Sequence, residues 1–154
     1  MRLAKILGQP LLARARRTSV QPLGPQVIRV SQTGSTRSPV IVIGPFAFKF
    51  ARNARGRASN IYEDNLYRNS NETRRRLLCP ALWVSPNGGL LVVRAAVPLA
   101  EIMSEEEYQH AWQTWDYAPG EDSCPFEPKA CDWGWFEGRK VALDSSTPAW
   151  EDDG

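Results

Sequence analysis

The sequence predicts a small α+β domain: an antiparallel sheet of about five strands packed on one main helix, with a second helix and a short C-terminal hairpin. Three observations predict it. Short apolar or alternating runs broken by Gly, Pro and Asn turns fall at 27–31, 40–43, 46–51, 81–84 and 90–94. A long helical stretch, 58–78, lies between the third and fourth of these runs. The length of 154 residues suits one domain, and six Trp, five Phe and four Tyr supply bulky surface for its core.

The elements can be justified in order. Residues 1–25 contain five basic residues and no acid, with an apolar stretch interrupted by Gly8 and Pro10. They are expected to form a flexible basic leader, and 26–150 the single domain. The runs VIRVS, VIVI and FAFKFA predict three strands of a meander. In the third, Phe46, Phe48 and Phe50 share one face and Lys49 takes the other.

Over 58–78, Ser59 is the expected N-cap, and Tyr62, Leu66 and Tyr67 form an apolar face. Asn69-Ser70-Asn71 predicts a break, and Cys79-Pro80 a stop. SPNGG predicts a hairpin turn between 81–84 and 90–94. Ser104 should cap a helix to about Trp115, with Glu105, Glu106 and Glu107 at its positive end. Two last strands, 133–136 and 141–143, flank Glu137-Gly138-Arg139. Trp133 and Trp135 should share a face there, for core or partner contact. The EDDG tail is expected to fray.

Charge is divided unevenly. Residues 1–76 hold 15 Lys+Arg against 3 Asp+Glu, a balance of +12, whereas 77–154 hold 4 against 14, a balance of −10. The halves are expected either to attract one another, within the fold or with a second copy, or to present a basic nucleic-acid contact. Three cysteines, Cys79, Cys124 and Cys131, fit no disulfide framework or zinc spacing, and are expected as buried or half-buried free thiols in the cytoplasm. With one histidine and no nucleophile motif beside it, a Ser/His or Cys/His hydrolase is excluded as a leading reading. His110 is expected to pack or cap. Glu121-Asp122 and Asp152-Asp153 are expected as solvated loop charges.

Several residues fall in an order that resembles a protein kinase, reduced to its small lobe and the start of its large lobe. Lys49 lies mid-strand in the third strand and Glu63 follows fourteen residues later on the helix. Glu127-Pro128-Lys129-Ala130-Cys131-Asp132 has the spacing acid-x-Lys-x-x-Asn of a catalytic loop. Asp144 ends the apolar run VAL twelve residues after Asp132. The resemblance implies a kinase-like small-lobe architecture over roughly 27–147. It implies that Lys49 and Glu63 would serve ATP phosphates, that Glu127 and Lys129 would take the catalytic-loop positions, and that Asp132 and Asp144 would hold Mg²⁺.

The departures are equally specific. QTGSTRSP contributes only Gly34 where a kinase has a glycine-rich loop. Cys124-Pro125-Phe126 stands for His-Arg, and Asp144-Ser145-Ser146 for Asp-Phe-Gly. The chain ends ten residues after Asp144, before any substrate-binding helices. These features predict a non-catalytic, pseudokinase-like module that binds a protein partner foremost, and ATP with Mg²⁺ as its nucleotide. Were it an enzyme, it would be a minimal ATP-dependent phosphotransferase. The alternative is a nucleic-acid-binding or nucleic-acid-mimicking accessory protein of a bacterium or phage. No apolar run approaches the ~20 residues that span a membrane, so no membrane partner is expected.

Overall fold

A computed structural model of the protein describes residues 29–31, 40–121 and 123–145. The expected leader, the turn with Gly34, Asp122 and the acidic tail lie outside them. The fold is α+β, with two antiparallel sheets. Strands β1 (Arg29–Ser31), β2 (Val40–Ile43) and β3 (Phe46–Phe50) form the expected meander. Gly44 takes a φ of 55° in the tight turn from β2 to β3, a region open to glycine without steric cost.

Helices α1 (Ala54–Asn69) and α2 (Glu72–Leu77) follow, then the hairpin β4 (Ala81–Val84) and β5 (Leu90–Arg94). Strand β5 inserts between β3 and β4, giving the order β1-β2-β3-β5-β4. The second sheet has the order β6-β7-β8, built from β6 (Val97–Pro98), β7 (Trp133–Phe136) and β8 (Arg139–Ala142). Helix α3 (Glu105–Thr114) lies between β6 and β7 in the chain.

Two apolar clusters hold these elements together. The first joins the sheets: Ala47, Ala81, Leu91 and Val93 from the larger sheet meet Phe136 and Val141 from the smaller, with Cys79 between. The second packs α3 onto the β7–β8 hairpin through Met103, Ala111, Trp115, Phe126, Trp133 and Ala142. Phe126 is its hub, meeting Trp115 and Trp133 edge-on at ring separations of 5.6 and 5.0 Å. Edge-to-face contacts of this kind add to the area each ring buries.

The hairpin turn falls at Glu137 and Gly138, whose φ values of 49° and 77° are those of a two-residue turn matched to strand twist. Strand β8 therefore begins at Arg139, two residues before the predicted start. Trp133 is buried while Trp135 is 48% exposed. They share the alternation of one strand, but Phe126 packs edge-on against the first, while Lys140 stacks on the second at 5.3 Å.

Helix α1 departs furthest from expectation. It starts at Ala54 and is capped by Asn53, whose side chain accepts from the Gly56 amide at 2.9 Å. Ser59 lies buried within the helix and donates to the Arg55 carbonyl at 3.0 Å, so it is no cap. The buried face is Gly56, Ser59, Asn60, Glu63 and Asp64, at the helical spacing but polar or small throughout. Hydrophobic periodicity cannot reveal such a face, which explains the four-residue error at its start. The break at Ser70 occurs as predicted, and Asn71 caps α2. On α3 the predicted Ser104 cap forms a full capping box with Glu107.

Other expectations divide. His110 is exposed on α3, so it does not pack. Cys79 is buried and Cys124 half-buried, whereas Cys131 is exposed. Burial pushes the Cys79 thiol up to about 12, and its sulfur lies 3.1 Å from the Arg94 carbonyl. Glu121 is no simple solvated charge: it pairs with Arg74 and accepts from the Ala118 amide. Among the described residues no helix is long and apolar enough to cross a membrane.

The turn between β4 and β5 abuts the first turn of α1. Gly88 has a φ of 69°, and a Cβ there would stand 2.3 Å from the Arg57 carbonyl oxygen. The variant Gly88→Ala is therefore expected to lose more than ~1 kcal/mol of unfolding free energy in urea titration. Unchanged stability would show that α1 does not press on this turn.

Candidate functional site

The alternation of β3 decides where its lysine goes. Ala47 and Lys49 share a face, and in the antiparallel register they oppose Val93 and Leu91. Those two residues are core, so Lys49 is drawn inside with them at 5% exposure. Phe46 and Phe50 take the outer face, each 38% exposed. The ordinary expectation of a solvent-facing strand lysine therefore fails here.

A buried ammonium needs compensation. Glu63, on the third turn of α1 and 7% exposed, forms an ion pair with the Lys49 Nζ. The same nitrogen donates to the Leu143 carbonyl oxygen, 94 residues away. An ammonium has three protons, so two are accounted for by these partners. Helix, third strand and the chain after β8 thus converge on one side chain.

Leu143 also works from its other side. Its amide donates to the Asp132 carbonyl at 2.6 Å, which closes the base of the β7–β8 hairpin. One residue's main chain therefore links Lys49 to the backbone of Asp132, and the next residue is Asp144. Burial holds the Asp132 carboxyl above its usual range, the bond from Cys131 opposes this, and the Asp144 charge adds to it. Lys129 and Glu127 also act on Asp132 through space, in opposite directions.

The loop carrying Asp132 is fixed from the second apolar cluster. Trp133 donates from its indole nitrogen to the Glu127 carbonyl at 2.7 Å, and the Tyr108 hydroxyl donates to the Phe126 carbonyl at 3.2 Å. Residues Ala130–Asp132 form a single 3₁₀ turn that leads into β7. Glu127 and Lys129 stay at the surface side of this loop and form an ion pair with each other. The structure thus joins Lys49 to Glu63 and to the Leu143 carbonyl, ties the Leu143 amide to the Asp132 carbonyl, has Asp144 next in the chain, and leaves Glu127 and Lys129 as a mutual pair at the rim.

Among the described residues no three His, Cys, Asp or Glu side chains stand together as a metal site. Two carboxylates do not make a cage for a resident ion. In donor chemistry alone, Mg²⁺ arriving with a nucleotide takes one or two carboxylates plus phosphate oxygens and retained water. Asp132 and Asp144 would then hold the ion, and it would neutralise phosphate charge beside Lys49.

Two contributors escaped sequence reasoning. Leu143 acts through main-chain atoms, which no side-chain motif reports. Asn60 is fully buried on α1, one turn before Glu63. A signal for it existed in the polar 3–4 spacing of Gly56, Ser59, Asn60, Glu63 and Asp64.

The energetics of the Lys49–Glu63 pair give a direct check. Removing one member of a buried pair strands the other, at a cost of ~3–5 kcal/mol. Lys49→Met and Glu63→Leu should each show such losses in chemical unfolding, while the double variant recovers most of them. Simple addition of the two losses would contradict a buried pair. Searches against protein-family profiles, curated proteins and solved structures yield no match to this chain.

Proposed function

We propose that the protein is a kinase-like, non-catalytic binding module: it takes Mg²⁺-bound ATP at the Lys49 site and acts through a protein partner. One observation carries this reading. A buried lysine on the third strand is bonded both to a glutamate on the following helix and to the carbonyl just before Asp144. Positioned donors and a metal are what nucleotide phosphates require. In the chain, α1 and α2 lie between β3 and β4, and this order supports the reading.

The non-catalytic part is supported by the chemistry of the loop. Glu127, in the position of a kinase's base, is engaged by Lys129. No His-Arg precedes it, and Ser145 follows Asp144 where Phe would stand. A protein partner is supported by Leu82 and Trp83, which are 41% and 49% exposed on the edge strand β4.

The test is thermal unfolding with and without MgATP. A ligand that binds only the folded state, at 100 times its dissociation constant, adds ~2.7 kcal/mol. Wild type should shift upward, and the shift should disappear in Asp144→Ala and in the Lys49→Met/Glu63→Leu double variant. No shift in wild type would overturn the nucleotide site. ATP turnover abolished by Asp144→Ala would overturn the non-catalytic part.

A second reading has its own observation. Arg52, Arg55 and Arg57 are exposed around the start of α1 and make no ion pair among the described residues, whereas Arg68, Arg74 and Arg76 are paired. The first turn of α1 holds no acid to offset them. On this reading the patch binds a phosphodiester backbone, and each phosphate contact steepens the salt dependence by ~0.9 in log–log slope on duplex DNA. Filter binding at two salt concentrations should then show weakening with salt that is reduced in the triple alanine variant. Absence of binding at low salt removes this reading.

A further inference from the structure

Asn60 has 0% exposure and lies inside α1, where neither helix propensity nor hydrophobic burial favours an asparagine. Its amide nitrogen donates to the Lys49 carbonyl at 3.3 Å and to the Gly88 carbonyl at 2.8 Å. Both of its protons are therefore spent on main-chain acceptors from two different places in the sheet. Its Oδ1 has no hydrogen-bond partner among the described residues. A leucine would fill similar volume without the unmatched Oδ1 but would release both carbonyls, so the reason for an asparagine lies in those two bonds.

Asn60 grips the main chain of the same residue whose side chain Glu63 holds, from the same helix face and one turn away. Lys49 is thus fastened to α1 at both ends, by its carbonyl and by its ammonium. The bond to Gly88 fixes the height of that helix against the β4–β5 turn. A helix free to slide or roll by a fraction of a turn would carry Glu63 away from Lys49.

We infer that Asn60 is a positioning residue that holds α1 in the register where Glu63 reaches Lys49, and so sets the affinity of the phosphate-facing site. Its role in nucleotide affinity rests on the nucleotide reading above; its role in the Lys49–Glu63 register does not. It touches no nucleotide and acts only through the buried pair.

The test separates the two. Side-chain ¹⁵N NMR of the nucleotide-free protein should show a protected Lys49 ammonium, identified by its loss in Lys49→Met. In Asn60→Leu, with native amide dispersion retained, that signal should vanish or its protons exchange at least ~10-fold faster. MgATP affinity should fall by at least ~10-fold in the same variant. If Asn60→Leu does not fold, Asn60→Ser carries the same readouts. An unaltered Lys49 signal in a folded Asn60 variant, or no protected ammonium in wild type, overturns the inference. Failure of wild type to bind MgATP sinks the nucleotide site and its affinity clause, while the ammonium comparison still decides whether Asn60 sets the register.

Discussion

The main chain of Leu143 is the point through which the two halves of the molecule are joined at the site. Its amide closes the β7–β8 hairpin onto Asp132, and its carbonyl receives a proton from Lys49 of the larger sheet. Neither bond depends on the leucine side chain. Removing the lysine from water while leaving it unpaired would be prohibitive. The ammonium is tolerated inside because Glu63 and a backbone oxygen meet it there, and those two groups come from separate elements. Helix α1, the larger sheet and the smaller sheet are consequently held in one mutual arrangement by a polar contact set within an otherwise apolar seam.

That seam shapes the energetics of the whole chain. A buried ion pair seldom stabilises a fold more than matched apolar residues would. Here the polar set extends along α1 through Ser59, Asn60, Glu63 and Asp64, with Asp64 receiving Arg68 at 2.6 Å. Stability must therefore come largely from the aromatic cluster around Phe126 and from the Leu91–Val93–Val141 seam. The division is physically coherent: apolar packing supplies cohesion, and the polar helix face supplies a defined register. Asp132 follows the same logic at smaller scale, since burial and the Asp144 charge both oppose its ionisation.

Much of this was legible in the sequence, for identifiable reasons. Strands 40–43, 81–84 and 90–94 were written in short apolar runs between Gly, Pro and Asn turns, and the Ser104 cap gave α3 its start. The candidate residues Lys49, Glu63, Asp132 and Asp144 come from the resemblance to protein kinases. Their convergence was not legible, because it depends on a main-chain acceptor 94 positions from the lysine. The start of α1 was hidden because its buried face carries no apolar period. Alternation alone left open which face of β3 is the inner one; Leu91 and Val93 drew the Lys49 face inside. Strand β6, only two residues long, left no pattern to find.

The charge division also resolves into parts. Arg74 crosses from the basic to the acidic half, pairing with Glu121 and stacking over Trp115 at 4.7 Å, so some of the asymmetry binds the fold together. Among the described residues Arg52, Arg55 and Arg57 take no share in this, and they remain at the surface. The two proposed anion sites are therefore distinct: one is internal, at Lys49, and the other external, at Arg52, Arg55 and Arg57. They are best separated by replacing Mg²⁺ with paramagnetic Mn²⁺ and titrating MnATP into the ¹⁵N-labelled protein. A kinase-like site requires the amides of Asp132, Trp133, Asp144 and Ser145 to broaden first. Broadening that begins at Arg52, Arg55 and Arg57, or none at all, would contradict it.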